Sequence, residues 1–210
     1  MAYQIVQIYY PCNGKLKEEY QIIDYKKNGL HRCWHKNGIS ASKTNFVNNK
    51  PHGLSTRFDE QGEIEYQAEF NNGLLDGKTI YYYKDKKQRV ESQYRDNVLH
   101  GFVKVFKEDE LVEESLYRDG VLITKSFFID KATYKCQKFT KAGNLISEVT
   151  FKNMKKNGKG VYYRSENYRM EMEFKDDVLH GKSRVFIDDK LREEKTFENG
   201  VEIRELRSRL

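Results

Sequence analysis

The sequence predicts an all-β protein: an elongated, single-layer antiparallel sheet of stacked β-hairpin repeats, coiled into a twisted trough. Three observations predict it. Aromatic residues recur at fixed spacing, as in Phe58 to Phe70 to Gly77 to Tyr82, with steps of 12, 7 and 5. Counting back from the second aromatic of a unit, alternate positions are apolar or small: Ile64, Tyr66, Ala68 and Phe70, then again Leu145, Ser147, Val149 and Phe151. A period of two belongs to a half-buried strand, because successive side chains of a strand point to opposite faces. Finally, three residues after the second aromatic stands Asn49, Gly73, Asn97, Gly120, Asp177 or Gly200, residue types that tolerate a positive φ and so make turns.

Taken in order, the units run almost the length of the chain. Tyr10 to Tyr25 fits with three extra residues, with His31 in the place that precedes the repeat glycine. Trp34, Phe46 and Gly53 keep the spacing, as do Phe58, Phe70 and Gly77, then Tyr82, Tyr94 and Gly101. Phe106 and Tyr117 follow, but Thr124 stands where glycine is expected. From Thr124 to Gly158 is 34 residues, one period plus ten, which predicts a remodelled hairpin. Phe139, Phe151 and Gly158, then Tyr163, Phe174 and Gly181, then Phe186 and Phe197 restore the pattern.

Each unit supplies two strands, since the stretch after the glycine (Lys78 to Tyr83, Lys159 to Arg164) is also rich in aromatic and β-branched residues. Gly14, Gly38, Gly62 and Gly143 share one turn position; units whose aromatics stand 11 apart drop a residue there, which predicts a tighter loop. The expectation is one repeat domain over 1–210 in units of 23 to 24 residues, irregular at 1–45 and 118–138. Roughly 16 to 18 strands about 4.8 Å apart would make a sheet on the order of 80 Å long. A sheet of that length twists, and its two edges need protection. The tail 201–210, with Arg204, Arg207 and Arg209, is either a cap on one edge or a solvated contact arm.

Composition narrows the function. Charged residues are 33% and the hydrophobic class only 38%, too few for a deep aliphatic core, while 15 Tyr and 12 Phe exclude a disordered chain. No apolar run approaches the roughly 20 residues that span a bilayer, and no basic leader precedes an apolar stretch at the start. Cys12, Cys33 and Cys136 are odd in number and lack a CxxC spacing, which fits neither a disulfide framework nor a zinc site. A cytoplasmic location is expected. The excess of 38 basic over 32 acidic residues is mild and interspersed, so no specific nucleic-acid partner is read, only a slight preference for acidic partners. Nothing resembles a phosphate loop, a zinc motif, a nucleophile elbow or a Rossmann turn. No cofactor, metal or catalytic residue is expected, and the protein is read as no enzyme.

Gly77-Lys78 leading to Tyr82-Tyr83, then Tyr94-Arg95-Asp96-Asn97-Val98-Leu99-His100-Gly101, resembles the MORN-type repeat in its bacterial variant, found in YwqK-like toxin–antitoxin and immunity proteins. Gly158 to Tyr163 followed by Phe174 to Gly181 repeats the likeness. The resemblance implies stacked hairpins and a role as antitoxin or immunity protein that neutralises a cognate protein toxin by binding and occlusion. The alternative it implies is a non-catalytic scaffold or membrane-associated binding protein, in which anionic lipid is the partner.

His52, His100 and His180 each precede a repeat glycine. Lying one repeat apart, about 10 Å per two strands, they read as turn or strand-edge residues, not as a metal or nucleophile site. Glu91, Glu114, Glu148, Glu171 and Glu194 form a column in which intervening strands supply cations such as Lys104 and Arg184, so a solvated charge ladder is expected. Phe58, Phe70, Tyr82, Tyr94, Phe106, Tyr117, Phe151, Tyr163, Phe174, Phe186 and Phe197 recur in register and are assigned to the core. Tyr81 and Tyr162, each beside a core aromatic, then point to the second face, in a column with Arg57, Val105, Phe128 and Val185. A tyrosine-bearing stripe on a long sheet suits protein binding. The expected contact residues are Arg57, Tyr81, Tyr83, Tyr162 and Arg184. An imperfectly capped edge would also allow an edge-to-edge homodimer.

Overall fold

In the computed structural model, which describes residues 3–203, the described chain forms nineteen strands in one antiparallel sheet and no helix. They are β1 (Gln4–Tyr9), β2 (Leu16–Ile23), β3 (Lys26–Lys27), β4 (Gly29–Trp34), β5 (Ser40–Val47), β6 (Lys50–Phe58), β7 (Ile64–Asn71), β8 (Leu74–Tyr82), β9 (Gln88–Arg95) and β10 (Val98–Lys107). After them come β11 (Glu110–Arg118), β12 (Val121–Phe128), β13 (Thr133–Phe139), β14 (Leu145–Lys152), β15 (Lys155–Ser165), β16 (Tyr168–Lys175), β17 (Val178–Ile187), β18 (Lys190–Glu198) and β19 (Val201–Ile203). Contacts divide the chain into two compact units. The first runs to Glu110 and adds Tyr117–Gly120; the second takes Leu111–Leu116 and the described residues from Val121 onward. Arg204, Arg207 and Arg209 of the tail lie outside the described residues.

The turns follow from residue type. Asn48-Asn49, Asn72-Gly73, Asp96-Asn97 and Asp119-Gly120 in the first unit have φ positive at both positions, as do Asn153-Met154, Asp176-Asp177 and Asn199-Gly200 in the second. Two-residue turns of this hand match the twist of the strands they join. They also bind one repeat to the next. The second turn amide donates to the carbonyl one period back: Gly73 to Pro51 at 2.8 Å, Asn97 to Leu75 at 2.9 Å, Asp177 to Lys156 at 3.0 Å and Gly200 to Leu179 at 2.8 Å. Where that residue is Asn or Asp, its side chain accepts in return, from Leu75 N at 2.7 Å (Asn97) and from Lys156 N at 2.8 Å (Asp177).

The first repeat is more regular than its sequence predicts. Tyr25 does not hold the aromatic position: it sits in the Asp24-Tyr25 turn at φ 61° and is 99% exposed. Ile22 takes that place, paired with Lys27 as Phe46 is with Pro51. The repeat glycine is Gly29, opposite Phe46, so His31 does not hold the position before it. In the remodelled segment, β12 and β13 pair as one additional hairpin closed on Asp130, whose carboxylate accepts from the amides of Ala132 and Thr133, both at 2.8 Å.

Each repeat glycine marks a bulge. In β8, Asp76 to Lys78 bulge opposite Glu69 alone, and Gly77 (φ 118°) lies across from Tyr94. A methyl group on Gly77 would collide with the Glu69 side chain, which turns inward to accept from Lys78 N at 2.9 Å. Gln93 does the same for Phe102 N at 3.0 Å, and Glu173 for Lys182 N at 3.1 Å.

Burial corrects the expected core. The most enclosed residues are small: Ala68 is fully buried, with Ser55, Thr79, Ser92, Ser115, Ser147 and Val149 close behind. Of the eleven aromatics assigned to the core, Phe174 alone is buried, and Tyr163 is exposed. A single layer has no second layer to cover a ring, so large side chains lie over their small cross-strand neighbours and enclose those instead. The register also splits the set. Tyr94 and Phe70 share a face with Ala68, Thr79 and Ser92, whereas Tyr82 and Phe106 both pair with Arg89 on the other. In the second unit Phe174 lies on the face of Gly160 and Met172, while Tyr163 and Phe186 both pair with Arg169.

Candidate functional site

In the first unit, strands β6 to β10 align one residue each in a row: Arg57 opposite Tyr66, Tyr66 opposite Tyr81, Tyr81 opposite Val90, and Val90 opposite Val105. Alternation places this row on the small-residue face, and Tyr83, immediately after β8, extends it. The Tyr81 and Tyr83 rings meet edge to face at 5.3 Å and remain 42% and 43% exposed. The Arg57 guanidinium lies 5.7 Å from the Tyr66 ring and pairs with Glu65 at 3.1 Å. Burial of the Tyr66 ring raises the pKa of its hydroxyl above the ordinary tyrosine value. Three of the predicted contact residues, Arg57, Tyr81 and Tyr83, are thus brought together.

The other two lie in the second unit on opposite faces. Tyr162 folds back over Gly160 against Phe174, 6.4 Å between rings, and its hydroxyl is buried without a hydrogen-bond partner. Arg184 points to the charged face and is held by Glu194 at 2.6 Å.

That charged face holds an arrangement that inspection of the sequence missed. Arg89 donates to Glu91 at 3.2 Å and to Asp109 at 2.5 Å, and stacks on Phe106 at 3.9 Å, while Lys78 closes on Glu91 at 2.8 Å. The second unit repeats it with Arg169, Glu171 at 3.5 Å, Asp189, Phe186 at 4.1 Å, and Lys159 at 3.0 Å from Glu171. The shared spacing, Arg-x-Glu followed by Phe-x-x-Asp, is visible once the pairing is known. Burial works to raise the Glu91 carboxyl, but Lys78 and Arg89 outweigh it and hold it below the ordinary value; Lys159 and Arg169 do the same for Glu171. Three members of the glutamate column, Glu91, Glu171 and Glu194, are thus paired with interleaved cations, Lys78 and Arg89 serving Glu91 and Lys182 and Arg184 serving Glu194, whereas Glu148 accepts from the Gln137 amide at 2.8 Å.

The repeat histidines serve turns. His52 and His180 accept through Nδ1 from the amides of Asn72 and Asn199, both at 3.5 Å, while His100 accepts from Arg95 at Nε2 (2.8 Å) and donates through Nδ1 to the carboxylate of the turn residue Asp119 (3.0 Å). His31 is different: its Nε2 lies 2.7 Å from Glu18 Oε1 and 3.6 Å from Cys33 Sγ, with Lys27 3.2 Å from the same carboxylate oxygen. One nitrogen facing both acid and thiol cannot relay a proton between them, since a nucleophile–base pair needs the acid on the other ring nitrogen. Among the described residues no group of three or more His, Cys, Asp or Glu could hold a metal ion. In the second unit, the remodelled hairpin opens a groove of about 750 Å³ lined by Phe128, Tyr134, Cys136 and Met154. The Tyr134 ring stacks on Phe151, 5.1 Å between centroids.

Residues 51–72, the β6–β7 hairpin and its following turn, match the family described as MORN repeat variant. Residues 66–87 and 150–167 match the MORN repeat family. These stretches are similar to MORN-type repeats. No curated protein matches the sequence. MORN-type repeats suggest a binding or scaffold role, and the matched residues 66–87 contain Tyr66, Tyr81 and Tyr83 of the exposed row.

Proposed function

We propose that this MORN-type repeat protein is a non-catalytic, cytoplasmic antitoxin or immunity protein that neutralises a cognate bacterial toxin by covering it. The contact surface is the row Arg57, Tyr66, Tyr81, Val90 and Val105 with Tyr83. The observation that carries this reading is the exposure of Tyr81 and Tyr83 in a continuous row whose neighbours toward the bulge, Ala68, Thr79 and Ser92, are small and buried. Tyrosine supplies large contact area at low conformational cost and is enriched in binding hot spots. A surface already ordered by cross-strand pairing loses little entropy on binding. The antitoxin assignment rests on the likeness of the repeats to the YwqK-like variant.

Co-expression with the product of the neighbouring reading frame tests it. The expected result is a complex and protection from toxicity, with Tyr81→Ala plus Tyr83→Ala weakening the complex at least about tenfold. Neither complex nor protection, together with flotation on anionic vesicles, would favour a membrane-associated scaffold instead.

A further inference from the structure

We propose that β1 is a dimerisation edge, through which two copies of this chain pair antiparallel about Gln7. Among the described residues β1 pairs with β2 alone, so its other side presents backbone amides and carbonyls. Its sequence is Gln-Ile-Val-Gln-Ile-Tyr, and every other described strand carries at least one charged side chain. Free edges are ordinarily guarded by charge, proline or a bulge in the edge strand itself. β1 has none of these: the register shift near Tyr9 comes from the extra residue Lys17 on β2, which leaves β1 regular. Ile5, Ile8 and Tyr9 are 56%, 38% and 50% exposed, large apolar groups on a strand with no repelling neighbour.

Symmetry selects the register. Two antiparallel strands joined edge to edge are related by a two-fold axis perpendicular to the sheet, which keeps each face with itself. Residues that pair must then point the same way, so one residue faces its own copy across the axis. Centred on Gln7, Ile5 meets Tyr9 of the second copy on one face, Val6 meets Ile8 on the other, and the two Gln7 amides face each other. Centred on Val6, Ile5 would meet Gln7 and Gln4 would meet Ile8, leaving apolar groups against amides. The Gln7 register pairs like with like on both faces and opposes no like charges. It is isologous and closes at two copies. Pairing β1 with β19 would run head to tail, would not close, and would set β1 against a strand of three residues bearing Glu202.

Sedimentation of the full chain over a concentration series reaching roughly 500 µM reads the proposal. The expected species is twice the 25.0 kDa chain mass at the upper end. Gln7→Lys and Gln7→Glu each place like charges across the axis and are expected to sediment as monomers, whereas mixing them restores a dimer. Leu54→Lys, at an exposed position in β6, is expected to dimerise as the unaltered chain does. Gln7 donates to Glu19 at 2.8 Å, so circular dichroism checks that the Glu variant folds. If it does not, Gln7→Lys alone decides, because salt screens the repulsion and returns the dimer. A monomer throughout the series, a dimer indifferent to both charges at position 7, or a ladder of larger assemblies would each overturn the proposal.

Discussion

At the scale of single residues, His31 is the ionisable group whose environment has the clearest consequence. Burial lowers its affinity for a proton, Lys27 lowers it further, and Glu18 only partly opposes them, so the folded imidazole titrates below the ordinary 6.5. The unfolded chain therefore takes up this proton first as pH falls. The contribution of His31 to stability is complete above pH 6.5 and declines as pH drops toward the folded value. Glu91 and Glu171, held below the ordinary 4.5, keep their contribution through this window and lose it at lower pH. Melting temperature measured between pH 8 and about pH 5.5 should slope downward in the native chain and less steeply in His31→Gln. Equal slopes would show that His31 is not the group responsible.

Among the repeated elements, the glycine bulge makes the most specific demand on sequence. Gly77 combines φ 118° with the Glu69 side chain packed where a methyl group would go. Gly77→Ala is expected to destabilise by about 1–3 kcal/mol through backbone strain and displacement of the Glu69 cap. Gly143→Ala, where nothing lies within 4 Å, is expected to cost less, and chemical denaturation of the two variants compares them. Equal losses would mean that the Glu69 contact contributes nothing. The same bulge explains what was and was not legible. Turn positions such as Asn97 and Gly200 could be read because their residue types state the backbone angle they need. The hairpins could be read because alternation holds within each strand. Which face Tyr82 or Tyr163 takes could not, because alternation has to be counted afresh across a bulge that sets three residues against one. Arg57, Tyr81 and Tyr83 share one face, whereas Tyr162 and Arg184 do not, because Arg184 stands beside Val185, which lies in the row of Tyr162, and successive residues of β17 alternate. Small residues such as Ser92 carry no hydrophobic signal, and their burial depends on the rings that neighbouring strands lay over them.

At the scale of the whole molecule, the turn amides of the described residues bond to carbonyls one period back: Gly73 to Pro51, Asn97 to Leu75, Asp177 to Lys156. A chain held this way draws its stability from each repeat and its nearest neighbours, and not from one shared core. Arg169 offers a direct test because it joins β15, β16 and β17 in one arrangement. Its guanidinium pairs with Glu171 and Asp189 and lies on the Phe186 ring. Since Asp189 is mostly solvated, the ion pairs count for little, and Arg169→Ala is expected to cost about 1 kcal/mol, much of it from the lost stacking. Hydrogen exchange should then quicken in the amides of β15 to β18, while those of β6 to β9, in the first unit, keep their native protection. A loss spread evenly over all strands would show that the sheet opens as one cooperative body. Arg89→Ala should give the mirror result, weakening β8 to β10 and leaving β15 to β18 unchanged, because the first unit carries the same arrangement on Glu91, Asp109 and Phe106.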